Sequence, residues 1–102
     1  SINDYIKHEI EGCKSIMEEM LNNQNLLKSV EEASKACINA LQNGNKILLA
    51  GNGGSAADAQ HISAEFIARF EKKRSSLAAI SLATNISTLT AISNDYGFDD
   101  IF

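Results

Sequence analysis

Proline is absent from the 102 residues, where an average chain would carry ~5%. Its absence suits long helices joined by short connections and says nothing about activity. Cysteine is scarce: Cys13 and Cys37 stand 24 residues apart, outside any C-x-x-C pattern. Collagen-like, disulfide-stapled and disordered classes are excluded by 6 glycines, 2 cysteines and a 44% apolar fraction. No apolar run approaches the ~18 residues of a membrane span. The opening residues, Ser1 through Gly12, carry mixed charge and no apolar signal segment. Basic residues are few, 9 against 13 acidic ones, for a net charge of −4. The one basic run, Lys72-Lys73-Arg74, is too short to hold a nucleic-acid backbone. The expected partners therefore include neither nucleic acid nor an anionic membrane.

What remains is an ordinary soluble composition, with 22% charged residues. A chain of this length makes one small domain, or part of a larger one. It should bury a little over ~60% of its unfolded surface.

Apolar side chains at Ile6, Ile10, Cys13, Met17 and Met20, widened by Ile16 and Leu21, predict a helix over residues 3–21. Asn22-Asn23-Gln24-Asn25 interrupts it, since Asn favours caps and turns. Leu26, Leu27, Val30, Ala33, Cys37, Ala40 and Leu41 predict a second helix to Gln42, with Gly44 as its cap. Both cysteines fall on these stripes and read as buried thiols. The pattern then shortens. Lys46-Ile47-Leu48-Leu49-Ala50 and Leu77-Ala78-Ala79-Ile80-Ser81-Leu82 read as strands buried on both faces. Between them, residues 55–70 return to helical period, with Ala59, Ile62, Ser63, Phe66, Ile67 and Phe70 as the core face. Thr84 or Asn85 caps a short helix through Ile92, Asn94-Asp95-Tyr96-Gly97 reads as a turn, and Asp99-Asp100 opens a further helix.

This ααβαβα order predicts an α/β fold with a parallel sheet and right-handed crossovers. Residues 1–44 form the leading helical segment and 45–102 the start of the sheet domain. Two buried parallel strands need further neighbours, so the chain is expected to be the first half of a longer domain.

Gly51-Asn52-Gly53-Gly54-Ser55 lies between a strand and a helix start, which gathers backbone N–H groups at the positive end of a helix. That arrangement holds phosphate, or it is a tight turn with no ligand. Gly51, Gly53 and Ala56 also satisfy G-x-G-x-x-A, but the second strand ends without the acid that would hold a ribose. This argues against a nicotinamide or flavin site. Ser55 has two readings: a capping box with Asp58, or a hydroxyl donating to a phosphate.

Asp58, His61, Glu65 and Arg69 are spaced 3, 4 and 4, which places them within an arc of about 80° on one helix face. His61 and Glu65 could share one zinc ion, which takes imidazole and carboxylate together. They could equally share acid–base work. A solvated face with a Glu65–Arg69 pair is the plain alternative. The stripe begins one turn after the glycine loop, at the carboxyl end of a parallel strand, where such sheets bind ligands. Asp95 stands in a loop that could meet substrate hydroxyls, or in a plain turn.

The string Gly51-Asn52-Gly53-Gly54-Ser55-Ala56-Ala57-Asp58-Ala59-Gln60-His61-Ile62-Ser63-Ala64-Glu65-Phe66, followed by Ser93-Asn94-Asp95-Tyr96-Gly97-Phe98, resembles the sugar isomerase (SIS) family and, within it, the phosphoheptose isomerases. The resemblance runs over nearly the whole chain and over the first half of a family member. It implies a three-layer α-β-α fold with a central parallel sheet, in a cytoplasmic homotetramer. It implies an aldose–ketose isomerase that converts sedoheptulose 7-phosphate to D-glycero-D-manno-heptose 7-phosphate through an enediol. The product would serve nucleotide-activated heptose for lipopolysaccharide or capsule. It further implies that Asn52, Gly53, Gly54 and Ser55 bind substrate, with Ser55 on the phosphate. Arg69, Asn94 and Asp95 are further substrate contacts, His61 and Glu65 zinc ligands, and Glu65 also the substrate-contacting catalytic carboxylate. The remaining zinc ligands, a Gln and a His, belong to the family's second half. A committed ligand is not a free base, so both a catalytic and a structural metal remain open. The competing resemblance is to a non-catalytic SIS protein that associates with the bacterial replication initiator. That relative lacks the carboxylate at Glu65 and the Tyr-Gly-Phe after Asn94-Asp95, both present here. A sugar-phosphate-sensing module would bring a DNA-binding domain, and none is visible.

Overall fold

The computed structural model describes residues 1–68 and 73–102. Arg69, Phe70 and Lys72, to which the sequence assigns a substrate contact, a core position and part of the basic run, lie outside the described residues.

The elements follow the order read from the sequence. Helices α1 (Ile2–Leu21) and α2 (Gln24–Gln42) lead to strand β1 (Ile47–Leu49) and helix α3 (Gly54–Ile67). Strand β2 (Ala79–Ser81), helix α4 (Ile86–Asp95) and a 3-10 turn (Phe98–Asp100) complete it. The asparagine run breaks the first two helices as polar side chains compete for backbone groups. Asn22 Nδ2 donates to Glu18 O at 3.0 Å, and the Leu26 amide donates to Asn23 Oδ1 at 3.0 Å. Past α2, the Asn45 amide returns to Ala40 O at 2.9 Å, satisfying a carbonyl at the helix end beside Gly44.

The chain divides into two compact units, Ser1–Cys37 and Ile38–Phe102. The seam lies inside α2, ahead of the Gly44 boundary read from the sequence. In the first unit α1 buries none of its residues. Its apolar stripe, Ile6, Ile10, Ile16, Met17, Met20 and Leu21, is exposed. The expectation of buried thiols is overturned with it: Cys13 is exposed and Cys37 half-buried, both free. Periodicity shows that a face is fit for burial; it does not supply the surface that buries it.

The second unit holds the sheet. β1 and β2 pair in parallel, with Ile47, Leu48 and Leu49 opposite Ala79, Ile80 and Ser81. Parallel pairing across a helical crossover is what the alternating order predicts. Helix α3 packs on both strands. Small side chains permit this close approach: Ala59 is 3% exposed and Ala79 4%, with Ser63, Ser81 and Ala83 also buried. The buried Ser63 hydroxyl donates to Ala59 O at 2.9 Å, so it carries no desolvation penalty. The predicted core face of α3 is wider than the surface it covers. Strands lie only ~4.8 Å apart, and Ile62 and Ile67 remain exposed.

Two local expectations are corrected. Asn94 and Asp95 are not turn residues; they form the last turn of α4, which ends through the Tyr96 and Gly97 amides on Ile92 O. Ser55 is not the cap of α3, because the helix begins one residue earlier, at Gly54, behind Gly53. The expected cap at Asn85 is present: its side chain accepts from the Thr88 amide at 3.0 Å.

Candidate active site

The site is built on α3 because a helix that starts at a strand's carboxyl end points its first turns across the edge of the sheet. The loop that launches it is sterically exacting. Gly53 has φ of +59°, the left-handed region that glycine enters without penalty. A methyl group on Gly51 would stand 2.5 Å from the Ser55 carbonyl oxygen and 2.7 Å from Ser55 Cβ. These atoms belong to the first turn of α3 and cannot swing aside. Gly51→Ala is therefore expected to destabilise the fold by about 1–3 kcal/mol, the usual cost of overpacking. Thermal unfolding of parent and variant checks this, and equal midpoints contradict it.

No side chain caps the amino end of α3. The Ser55 amide donates to Asn52 O at 3.0 Å and the Ala56 amide to Gly53 O at 3.1 Å, which fixes the loop against the helix. Asn52, Gly53, Gly54 and Ser55 are all exposed.

Two turns further on, His61 Nε2 lies 3.3 Å from Glu65 Oε1. The spacing of four residues puts one side chain above the other. Their side chains are 76% and 39% exposed, so the contact adds at most about 0.5 kcal/mol to stability. The arrangement has a more specific setting than a solvated face. Both side chains line a cavity of about 420 Å³, together with Asp58, Ile62, Phe66 and Arg74. Ile62 and Phe66 give it an apolar wall, and the four charged or imidazole groups give it a polar rim. This volume is within the ~300–1,000 Å³ of small-molecule sites.

An imidazole nitrogen and a carboxylate oxygen at this separation fit two positions of a zinc site. Among the described residues no group of three or more His, Cys, Asp or Glu is placed to hold a metal. The pair supplies two donors, fewer than a metal site needs on its own. Without a metal the same groups can pass a proton, one accepting while the other stabilises charge.

The other expected residues among those described are not brought to this cavity. Asn94 and Asp95 are exposed at the end of α4, where Asn94 Nδ2 donates to Asp95 Oδ1 at 3.2 Å. Neither they nor residues 52–55 line the His61–Glu65 cavity. Arg69 lies outside the described residues. Arg74 was not among the expected site residues, being read only as part of a basic run. A cation shortly past the end of a helix was the available signal.

Comparison with known proteins identifies the family. The SIS domain family model matches residues 10–102. The chain is 50% identical over 101 residues to a phosphoheptose isomerase of Aneurinibacillus thermoaerophilus, covering 99% of this chain and 51% of that protein. It is 49% identical over 102 residues to phosphoheptose isomerase 2 of Campylobacter jejuni, covering 100% and 51%. The structure of the phosphoheptose isomerase from Neisseria gonorrhoeae superposes with a TM-score of 0.86 at 37% identity, over 100% of this chain and 51% of that one. The chain thus spans about half the length of the curated relatives it matches. The fold expected from the ααβαβα order is borne out by that superposition. With a family match running from the middle of α1 to Phe102, through the glycine loop and the His61–Glu65 helix, this chain belongs to the SIS domain family.

Proposed function

We propose that the protein carrying these residues is an aldose–ketose isomerase that interconverts sedoheptulose 7-phosphate and D-glycero-D-manno-heptose 7-phosphate. The observation that carries this reading is the His61–Glu65 pair, 3.3 Å apart on the wall of a cavity. Similarity to phosphoheptose isomerases supports it.

The reaction moves a proton between two adjacent carbons through an enediol, and moves another between their oxygens. Glu65 is the group we assign to the carbon-bound proton. A carboxylate that is partly buried and partly solvated can take a proton and return it without leaving the site. His61, one turn earlier, stabilises the charge that develops on the neighbouring oxygens. A zinc ion held by His61 and Glu65 would supply Lewis-acid polarisation of those oxygens, with Glu65 then acting as a ligand rather than as a free base. The amides of Asn52, Gly53 and Gly54 and the Ser55 hydroxyl stand at the amino end of α3, suited to hydroxyl and phosphate oxygens. Arg69 is assigned to the substrate side as a cation, and Asn94 and Asp95 to sugar hydroxyls.

The same reading assigns the protein to a cytoplasmic homotetramer that supplies nucleotide-activated heptose for lipopolysaccharide or capsule. The exposed apolar stripe of α1 supports assembly, since a row of Ile and Met facing water is rarely left uncovered. No helix of the described residues is long and apolar enough to cross a membrane.

The test is incubation of the full-length protein with sedoheptulose 7-phosphate in D₂O. Appearance of the aldose phosphate with deuterium at carbon 2 is expected. Binding of the sugar phosphate without conversion would instead favour a non-catalytic SIS module.

A further inference from the structure

Among the described residues, helix α3 ends without the usual devices. Its last turn contains no basic residue, and its C-cap is Ala68 rather than glycine. The final carbonyls of a helix have no partner within it. Here the Ala68 amide takes Ala64 O at 2.8 Å. The next two carbonyls, those of Glu65 and Phe66, are taken by one side chain. Arg74 Nη2 donates to Glu65 O at 2.9 Å, and Arg74 Nη1 donates to Phe66 O at 2.9 Å. Nη1 also reaches Ser75 O at 3.0 Å, and the Leu77 amide joins Phe66 O at 3.0 Å.

We propose that Arg74 is a positioning residue for Glu65: its guanidinium clamps the backbone of the residue whose carboxylate is assigned to the chemistry. Three observations converge. The two donors of a planar fork engage consecutive carbonyls, a geometry a lysine ammonium cannot reproduce. The positive charge sits at the negative end of the α3 dipole, where a cation is favoured. Arg74 is half-buried and lines the same cavity as His61 and Glu65. A loosened last turn would let the Glu65 carboxylate drift, and a misplacement of ~1 Å can cost about 100-fold in rate. The consequence for turnover rests on the isomerase reading; the clamp itself does not.

The experiment uses the full-length protein with R74Q and R74K. R74Q removes charge and fork. R74K keeps the charge and loses the fork, and it carries the test if R74Q fails to fold. Amide hydrogen exchange is read over residues 61–68 and, as a control, over β1 and β2. Both variants are expected to exchange ~10-fold faster in the first segment with the strands unchanged. With sedoheptulose 7-phosphate, kcat should fall ~10- to 100-fold while KM stays within about twofold. Unchanged exchange over residues 61–68 overturns the clamp. A raised KM with intact kcat overturns positioning, because it would make Arg74 a substrate contact. Parental kcat in R74K overturns the role of the fork in favour of charge alone. If the parent protein itself converts no sugar phosphate, the isomerase reading fails, and the exchange measurement decides the clamp by itself.

Discussion

Glu65→Gln in the full-length protein is expected to abolish isomerisation and leave the fold and sugar-phosphate binding largely intact. The amide nearly matches the carboxylate in shape, so the cavity keeps its walls. It cannot take up a proton at neutral pH, and removing a positioned acid–base group costs typically ~10²–10⁴-fold. The stability effect should be small by comparison. A 39% exposed side chain leaves little buried charge, and the contact with His61 adds no more than about 0.5 kcal/mol. The two effects therefore separate cleanly in a kcat measurement paired with a thermal melt. Turnover close to the parent's would remove Glu65 from the proton transfer.

His61→Ala is the second large effect. Alanine deletes one of the two donors that face the cavity and leaves a carboxylate alone, which holds a borderline metal poorly. Zinc affinity in the full-length protein is expected to fall by at least ~100-fold, more than even outer partners of a metal site usually cost. Elemental analysis of the purified variant after dialysis checks this. Zinc content equal to the parent's would exclude His61 as a ligand. His61 is exposed in a helix interior, where Ala is the strongest helix former, so the variant is expected to stay folded.

The sequence made the scaffold of this site readable because the relevant signals were local. The asparagine run 22–25 announced a helix break, Asn85 a helix start, Gly44 a helix end, and two short apolar runs a parallel pair. The four-residue step from His61 to Glu65 needed only the helical pitch. Ser55 misled because capping depends on where the backbone turns, and Gly53 at φ +59° lets it turn earlier than the Ser-x-x-Asp pattern suggests. Asn94 and Asp95 misled in the opposite direction. Residues that favour turns are also tolerated in a last helical turn when glycine follows, as Gly97 does here. Cys13 was read correctly as lying on an apolar stripe and wrongly as buried, because burial is a property of two surfaces and periodicity describes one. Arg74 was legible only as charge. Its role arises when the chain folds back nine residues to reach Glu65 O, and no spacing rule for a single helix contains that contact.

The most direct measurement is a crystal structure of the full-length protein with sedoheptulose 7-phosphate bound. The account predicts carbons 1 and 2 of the sugar beside the Glu65 carboxylate, at hydrogen-bonding reach of ~2.6–3.2 Å from their hydroxyls. It also predicts His61 on the same side and the phosphate on the amides and hydroxyl of residues 52–55. A sugar phosphate seated elsewhere, with His61 and Glu65 turned into solvent, would contradict it.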